Sequence, residues 1–522
     1  MKNLEDKTKN LKLNTFLLAL VAGLIWVKLA FIYFQFRVNN YIAPPGDDPA
    51  NHLEKVANLL AGKVSFSYPF LFHYLVGKAS IFSQIDLMEA FVKFTPVLIV
   101  LPAIAIFVFA WMNFGRLAAI VAFTIALFAS NYPILAYADG NYPNILSAGF
   151  FMIISLSFLS KVIARGGWAN YLMFCLFAIL TAMSHHLSIF YLSSIILGLL
   201  IFFGIRHFLY RDVKNYKPLL FFIVTMVAVF LLLVLTTSLR EPFFAFVSSL
   251  KASKAALQES NYFTKLLDFS DYGSLAGELV LNGGLFAMLY IISCLFSKKY
   301  NKEVKISLIF LAIWFLAIFI FSRFSFVLLP GRFARELAPP LAIAIGFFIA
   351  DISRIIESRN KKLIYFGIVV IIVWVNLSQV NAGSYRSPEF FNKMIRFAIT
   401  DKTDSSQITL YTPEKSLIIS NPTTPYLPFA SSRNIVFIKA SDTAGSQQLA
   451  RAIKYYEATH VFVGTSSWPK PDPVAYPFFK DYEEISDGME RIMNNSTCSF
   501  EEFSTGSKLY QITKKCLSDL TK

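Results

Sequence analysis

Near its N-terminus the chain reads LNTFLLALVAGLIWVKLAFIYFQF (13–36), and PPGDDPANH (44–52) follows shortly after. The 24 residues of the first stretch are too long for the apolar core of a signal peptide, and no small-residue cleavage site follows. About 20 apolar residues suffice for a helix to cross a bilayer. The chain therefore begins with a retained membrane span that leads into an acidic turn.

The rest of the chain repeats this apolar character. It is 56% hydrophobic and only 16% charged over 522 residues, with 54 phenylalanines and a mean hydropathy of +0.54. A water-soluble protein carries about 25% charged residues, so a soluble enzyme is excluded. We predict a polytopic α-helical membrane protein with about eleven spans. The predicted spans are Leu13–Phe36, Phe91–Trp111, Leu117–Tyr137, Pro143–Val162, Tyr171–Met183, Leu187–Ile205, Pro218–Ser238, Ser274–Phe296, Ile306–Leu328, Leu337–Ile352 and Leu363–Val380.

The distribution of basic residues predicts the membrane topology. The segment Tyr68–Phe82 is short for a span, and if it crossed the membrane every later loop would change sides. If it is instead a re-entrant or surface-lying hairpin, the cytoplasmic loops hold 19 Lys and Arg, against nine outside after His52. The positive-inside rule favours that arrangement. It places the N-terminus in the cytoplasm and the tail after Val380 outside the cell membrane.

The tail, residues 381–522, is predicted to be a separate α/β domain that follows a membrane module of residues 1–380. It carries 16 basic and 15 acidic residues, so it offers a nucleic acid no basic patch. Strand-like runs and one helical pattern alternate along it. The predicted strands are Ile408–Tyr411, Leu417–Ser420, Ile435–Lys439 and His460–Gly464, and the predicted helix is Gln447–Glu457. Cys498 and Cys516 would lie in an oxidising compartment, where a disulfide can form.

The first outside loop carries the most unusual chemistry. Asp48 is the predicted N-cap of an amphipathic helix of about three turns that has Pro49 at its first position. Asp48 and His52 stand one turn apart on the same face. The alternative is that Asp48 only caps the helix and His52 is a surface polar residue.

Two short outside loops follow. Asp139 stands alone between apolar spans, in a loop that ends at Tyr142, and such a carboxylate usually faces a cavity or a partner. His185 and His186 are adjacent, and neighbours on a helix point about 100° apart. Two side chains that point apart are a weak candidate for a metal-binding pair. The better interpretation is that one histidine is functional and its neighbour is not.

The last outside loop, PGRFARE (330–336), contains Arg332, Arg335 and Glu336. The two arginines are three residues apart and share a face if the loop is helical. Such a pair suits bidentate binding of a phosphate. The alternative is anchoring to lipid headgroups. Carboxylates, histidines and guanidinium groups are thus expected at one face of the bilayer.

With these residues, the chain resembles the GT-C superfamily of membrane glycosyltransferases. The resemblance lies in GDDPANH (46–52), Tyr68-Pro69, GNYPN (140–144) and the α/β tail. It implies a polyprenyl-phosphate-linked sugar donor, an inverting reaction at the extracytoplasmic face and a catalytic aspartate at Asp48 or Asp47. It also implies that His52, Asp139, Tyr142, His185, His186, Arg332, Arg335 and Glu336 bind substrate.

The resemblance has limits that bear on substrate and cofactor. The tryptophan-rich motif WWDYG of oligosaccharyltransferases is absent, which favours transfer of a single sugar. The expected partners are the lipid-linked donor, membrane lipids and a glycan, lipid or protein acceptor, with no nucleic acid. No cofactor is certain, and a divalent metal stays open, with Asp139 as one residue that could position it.

Two other functions compete with this one. A transporter or flippase of a lipid-linked glycan intermediate would carry mid-span charges and broken helices in paired halves. Here the charges gather at one face and no halves repeat. A receptor built around the tail would not need eleven spans.

Overall fold

The structure is a computed structural model, and it describes residues 2–38, 41–46, 48–62, 69–210, 267–323, 330–354, 367, 370, 397–438, 440–465 and 482–522. Its helices, in chain order, are α1 (Lys2–Val38), α2 (Asp48–Leu60), α3 (Leu71–Ser83), α4 (Leu87–Phe94), α5 (Leu101–Phe114), α6 (Arg116–Thr124), α7 (Tyr132–Ala138), α8 (Tyr142–Asn144), α9 (Ile153–Arg165), α10 (Trp168–Ser184), α11 (His186–Tyr210), α12 (Phe269–Ala276), α13 (Glu278–Phe296), α14 (Lys302–Arg323), α15 (Pro330–Arg335), α16 (Ala338–Ser353), α17 (Ile399–Tyr411), α18 (Leu427–Ser431), α19 (Ser446–Tyr456), α20 (Tyr482–Asn494) and α21 (Lys514–Leu520).

The chain forms two compact units. The first comprises residues 1–38, 62–79 and 94–390, and the second comprises residues 39–61, 80–93 and 391–522. The second unit therefore contains two early segments besides the tail, which the sequence did not predict. The predicted boundary at residues 380/381 lies outside the described residues.

The membrane-span predictions fit the described helices. Among these residues, eight helices are long and apolar enough to cross a bilayer, and Trp168–Ser184 is a shorter apolar helix. Together they coincide with nine predicted spans. Pro218–Ser238 lies outside the described residues, and only residues 367 and 370 of Leu363–Val380 are described. The total of eleven therefore stays a prediction. Pro69 and Phe70 lead into a single helix of 13 residues, α3, which is not among the candidate spans.

The loops of the first unit sort into two groups by their contacts. Arg165 pairs with Glu303 at 2.6 Å, which joins two of the loops predicted to be cytoplasmic. At the opposite ends of the helices, the Asn131 amide donates to the Ser274 carbonyl at 2.9 Å.

Small residues allow close helix packing in the first unit. A Cβ added at Gly346 in α16 would lie 2.5 Å from the Ala118 carbonyl oxygen and 2.8 Å from the Ala122 Cβ, both in α6. Membrane helices use such residues because they approach by van der Waals contact rather than by hydrophobic exclusion.

We expect Gly346→Ala to lower the free energy of unfolding by about 2 kcal/mol, because the added methyl group forces two backbones apart. Gly23→Ala in α1 is the matched control, since a Cβ there meets nothing within 4 Å. That substitution should be neutral or stabilising, because alanine favours the helix. Thermal unfolding of both variants in one detergent checks this, and equal midpoints would contradict the packing argument.

The second unit is built on a five-stranded sheet, in the order β2-β1-β3-β5-β4. The strands are β1 (Leu417–Ser420), β2 (Asn434–Phe437), β3 (His460–Val463), β4 (Phe500–Glu502) and β5 (Lys508–Gln511). The first three are parallel, whereas β5 runs antiparallel to β3 and β4 antiparallel to β5. The predicted α/β fold is confirmed as a small mixed sheet, and Cys498 and Cys516 form a disulfide.

One predicted strand is wrong. Ile408–Tyr411 is the last part of α17. The helix is set up earlier, where the Asp401 carboxylate accepts the Ala398 N–H at 2.7 Å. Thr409 fits the helix because its hydroxyl donates to the Ser405 carbonyl at 2.9 Å. A short β-branched run therefore does not override a helix that has already begun.

The acidic turn of the first outside loop is anchored within the second unit. The Tyr426 hydroxyl donates to the Pro44 carbonyl at 2.7 Å and lies 3.2 Å from the Gly46 carbonyl. Tyr426 itself is fully buried. This contact fixes the backbone that leads into α2.

Candidate active site

An ion pair links two of the loops singled out by the sequence. Arg335 Nη1 lies 2.6 Å from Asp139 Oδ2. The arginine side chain is 7% exposed and the aspartate 47%. Two residues that are 196 positions apart in the sequence are thus in direct contact in the first unit. The guanidinium group is buried, whereas solvent can reach the carboxylate.

Glu336 extends this ion pair into a buried network. Its Oε1 accepts from Asn144 Nδ2 at 3.2 Å, and Asn144 Oδ1 accepts from the Ser188 hydroxyl at 3.2 Å. All three residues are buried. Three loops, those of Asp139, His185 and Arg335, are therefore tied together by side chains.

Three polar atoms in the same place have no hydrogen bond of normal geometry among the described residues, although Tyr132 and Glu336 are close enough to each other for a weak one. They are Glu336 Oε2 and the hydroxyl oxygens of Tyr132 and Tyr191, all three side chains being buried. Both tyrosines interact electrostatically with Glu336, and Tyr191 also with Arg332 and Arg335. Buried polar groups are normally paired. This group therefore has the capacity to bind water or a polar ligand.

The backbone around Asp139 is unusual. Ile125–Ala129 precedes the loop and Ile145–Met152 follows it, and both are π-helical. Such wide turns are rare and occur mostly at functional sites. They widen the helices on both sides of residues 132–144, the stretch that contains Tyr132, Asp139 and Asn144.

The other predicted residues of the first unit have different surroundings. Tyr142 is fully buried, and its ring packs against Tyr137 and Phe72 at centroid distances of 4.9 and 5.9 Å. Arg332 is partly exposed.

The histidine pair marks a helix break. His185 is buried, lies between α10 and α11 in an extended conformation, and accepts the Leu187 N–H at Nδ1 over 3.3 Å. His186 begins α11, and its side chain lies outside what the structure describes.

The early acidic residues belong to the second unit. Asp48 is the first residue of α2 rather than the residue before it, and it is partly buried. The predicted amphipathic helix is confirmed, but His52 lies on its buried face with Leu53 and Val56. Burial lowers the pKa of Lys55, although the charges of Asp48 and Glu54 oppose this shift. Asp47 lies outside the described residues.

The described side chains do not form a metal-binding group. Among the residues described, no three His, Cys, Asp or Glu side chains come together in a way that could hold an ion. Asp139, the residue proposed to position a metal, is held by Arg335 instead.

Sequence reasoning missed Tyr132, Asn144, Ser188 and Tyr191. Asn144 stands in the quoted GNYPN segment, so its polarity beside a short loop was a usable signal. Ser188 and the two tyrosines read as ordinary residues of apolar helices. Only the tertiary contacts identify them.

Comparison with solved structures supplies the fold. The archaeal oligosaccharyltransferase AglB from Archaeoglobus fulgidus, in complex with an inhibitory peptide and a dolichol-phosphate, matches at a TM-score of 0.55 and 13% identity. The match covers 95% of this chain and 74% of that one. ArnT from Cupriavidus metallidurans bound to undecaprenyl phosphate matches at 0.52 and 13%, over 97% and 99% of the two chains. This chain has the GT-C fold.

A third similar structure is the arabinofuranosyltransferase AftD from Mycobacteria, with a TM-score of 0.52 and 10% identity, over 95% of this chain and 40% of that one. No protein-family model and no curated protein matches the sequence. The predicted resemblance to GT-C proteins is thus confirmed at the level of fold. With eight apolar helices of spanning length in the described part, the GT-C chain is a multi-pass membrane protein.

Proposed function

We propose that the protein is an integral membrane glycosyltransferase that moves a sugar from a polyprenyl-phosphate-linked donor to an acceptor. The observation that carries this proposal is the fold shared with transferases solved with dolichol-phosphate and undecaprenyl phosphate. The buried arginine and the incompletely hydrogen-bonded polar atoms around Glu336 support it, because they form a polar site at the end of an apolar helix bundle.

The reaction needs one base. The acceptor hydroxyl attacks the anomeric carbon, its proton passes to a carboxylate, and the bond between that carbon and the phosphate oxygen breaks. The electron pair of that bond leaves with the polyprenyl phosphate. This phosphate is a good leaving group, so a general acid is not required, and a single displacement inverts the anomeric configuration.

We assign the base to Asp48 or Asp47. Asp48 begins α2, where the helix dipole stabilises its anion and so weakens it as a base. Asp47 would be less affected, and both residues stay candidates. His52 is a candidate substrate ligand on the same helix.

Phosphate binding is assigned to Arg332 and Arg335. A guanidinium group offers the planar fork of donors that suits phosphate oxygens. In the structure Asp139 holds Arg335, and Asn144 holds Glu336 in the next position. Tyr142, His185 and His186 are further candidate substrate ligands.

The site is proposed to work at the extracytoplasmic face of the cell membrane. The excess of basic residues in the other set of loops supports this orientation, with a cytoplasmic N-terminus and an extracytoplasmic tail. The absence of WWDYG supports transfer of one hexosyl or pentosyl unit, in the building of cell-envelope glycans.

The test is an assay in which purified protein in lipid nanodiscs converts a radiolabelled polyprenyl-phosphate sugar. The release of polyprenyl phosphate is the measured product. Turnover supports the proposal. Movement of the labelled lipid across the bilayer of liposomes without any covalent change would overturn the proposal and favour a flippase.

A further inference from the structure

The second unit contains a large cavity, and none of the candidate site residues named above that the structure describes lines it. Its volume is about 1240 Å³, and its walls come from α2, the segment around α4 and residues 397–437 of the tail. Binding pockets for small organic ligands span about 300–1,000 Å³. The cavity is therefore larger than one sugar needs.

One wall is the polar face of α2. Asn51, Glu54 and Asn58 lie at helical spacing and line the cavity, whereas Leu53 and Val56 lie on the buried face. Lys402 and Ser406 line it from α17, one turn apart. These groups include both donors and acceptors of hydrogen bonds.

Another part of the lining is rigid and largely apolar. Pro422, Pro425 and Pro428 line it together with the partly exposed ring of Phe429. Proline fixes the backbone, so this surface is formed before any ligand arrives. An aromatic ring beside hydrogen-bonding groups suits a ligand with apolar faces and polar edges.

The charges in the cavity disfavour an anion. Glu54, Asp86 and Glu89 contribute three carboxylates, of which Asp86 accepts the Met88 N–H at 2.9 Å and Glu89 pairs with Lys93 at 2.5 Å. Of the two basic residues, Arg433 is engaged by its own domain, since its guanidinium donates to the Thr412 hydroxyl at 2.9 Å and to the Thr412 carbonyl at 2.7 Å. Lys402 is the other.

From these features we propose that the cavity binds the acceptor, and that the acceptor is a neutral, hydroxyl-rich saccharide chain of two or three units. Hydroxyl groups of the saccharide meet the two amides and the one carboxylate that α2 contributes to the lining, and the sugar faces lie against Phe429 and the prolines. This inference rests on the proposed transferase function and selects a glycan from among the glycan, lipid and protein acceptors.

The test places a cysteine in the cavity of the full-length protein. Ser406→Cys is alkylated with a maleimide in the presence of mannotriose, trigalacturonate or a serine-rich hexapeptide. Mannotriose at four times its dissociation constant should slow alkylation about fivefold. Gln447→Cys, exposed on α19 and away from the cavity lining, is the matched control and should show no protection.

A second variant fills the cavity. Ala430→Trp places an indole in the lining and should weaken mannotriose binding at least tenfold, whereas Ala444→Trp at an exposed position should not. Protection by the hexapeptide or trigalacturonate alone would overturn the inference. If mannotriose protects position 406 but no donor is ever converted, the transferase function is wrong and the binding site stands. If the donor is converted but mannotriose gives no protection, the cavity assignment is wrong.

Discussion

Asp48→Asn is expected to lower kcat for sugar transfer by a factor of about 10³, within the range that a general base contributes. Asparagine keeps the size of the side chain and suits the first turn of α2, so the helix should form unchanged. KM for the donor should change little, because the lost group would act on the acceptor proton. Initial rates with radiolabelled donor give both constants.

Asp47→Asn, measured in parallel, decides which of the two carboxylates is the base. Glu414→Gln is the matched control, since it removes an exposed carboxylate of the same unit and should leave kcat unaltered. If the double variant Asp47→Asn/Asp48→Asn still turns over at the wild-type rate, the base lies elsewhere.

The second large effect is expected at the ion pair of Arg335 and Asp139. Arg335→Met should lower kcat/KM about 10²-fold, because a preorganised charge opposite the departing phosphate is lost. It should also lower the free energy of unfolding by about 2 kcal/mol. That figure is less than for a fully buried pair, since the carboxylate left behind is 47% exposed.

A double-mutant cycle separates the two effects. Adding Asp139→Asn to Arg335→Met removes the unpaired carboxylate, so stability should recover in part while activity does not. Arg332→Met is the matched control, because Arg332 is partly exposed, and it should weaken donor binding with little change in stability. Additive stability changes in the cycle would show that Asp139 and Arg335 do not interact.

The class of protein and most of its helices and strands can be predicted from the amino-acid sequence. Apolar runs of about 20 residues predict membrane spans because a helix needs that length to cross the hydrocarbon core. This requirement does not depend on how the rest of the chain folds. The helix after Pro49 and the strand Leu417–Ser420 were predicted closely, since turn chemistry and β-branched runs are local signals. The strand predicted at Ile408–Tyr411 failed where two local signals competed and the helix had already started.

The construction of the site, by contrast, depends on the folded chain. Asp139 and Arg335 are 196 positions apart, and no periodicity couples them. The Glu336–Asn144–Ser188 network and the tail's hold on Pro44 through Tyr426 likewise depend on helix packing and on the folding of the tail. The sequence shows which residues are polar. Which of them face one another depends on long-range packing, and that exists only in the folded chain.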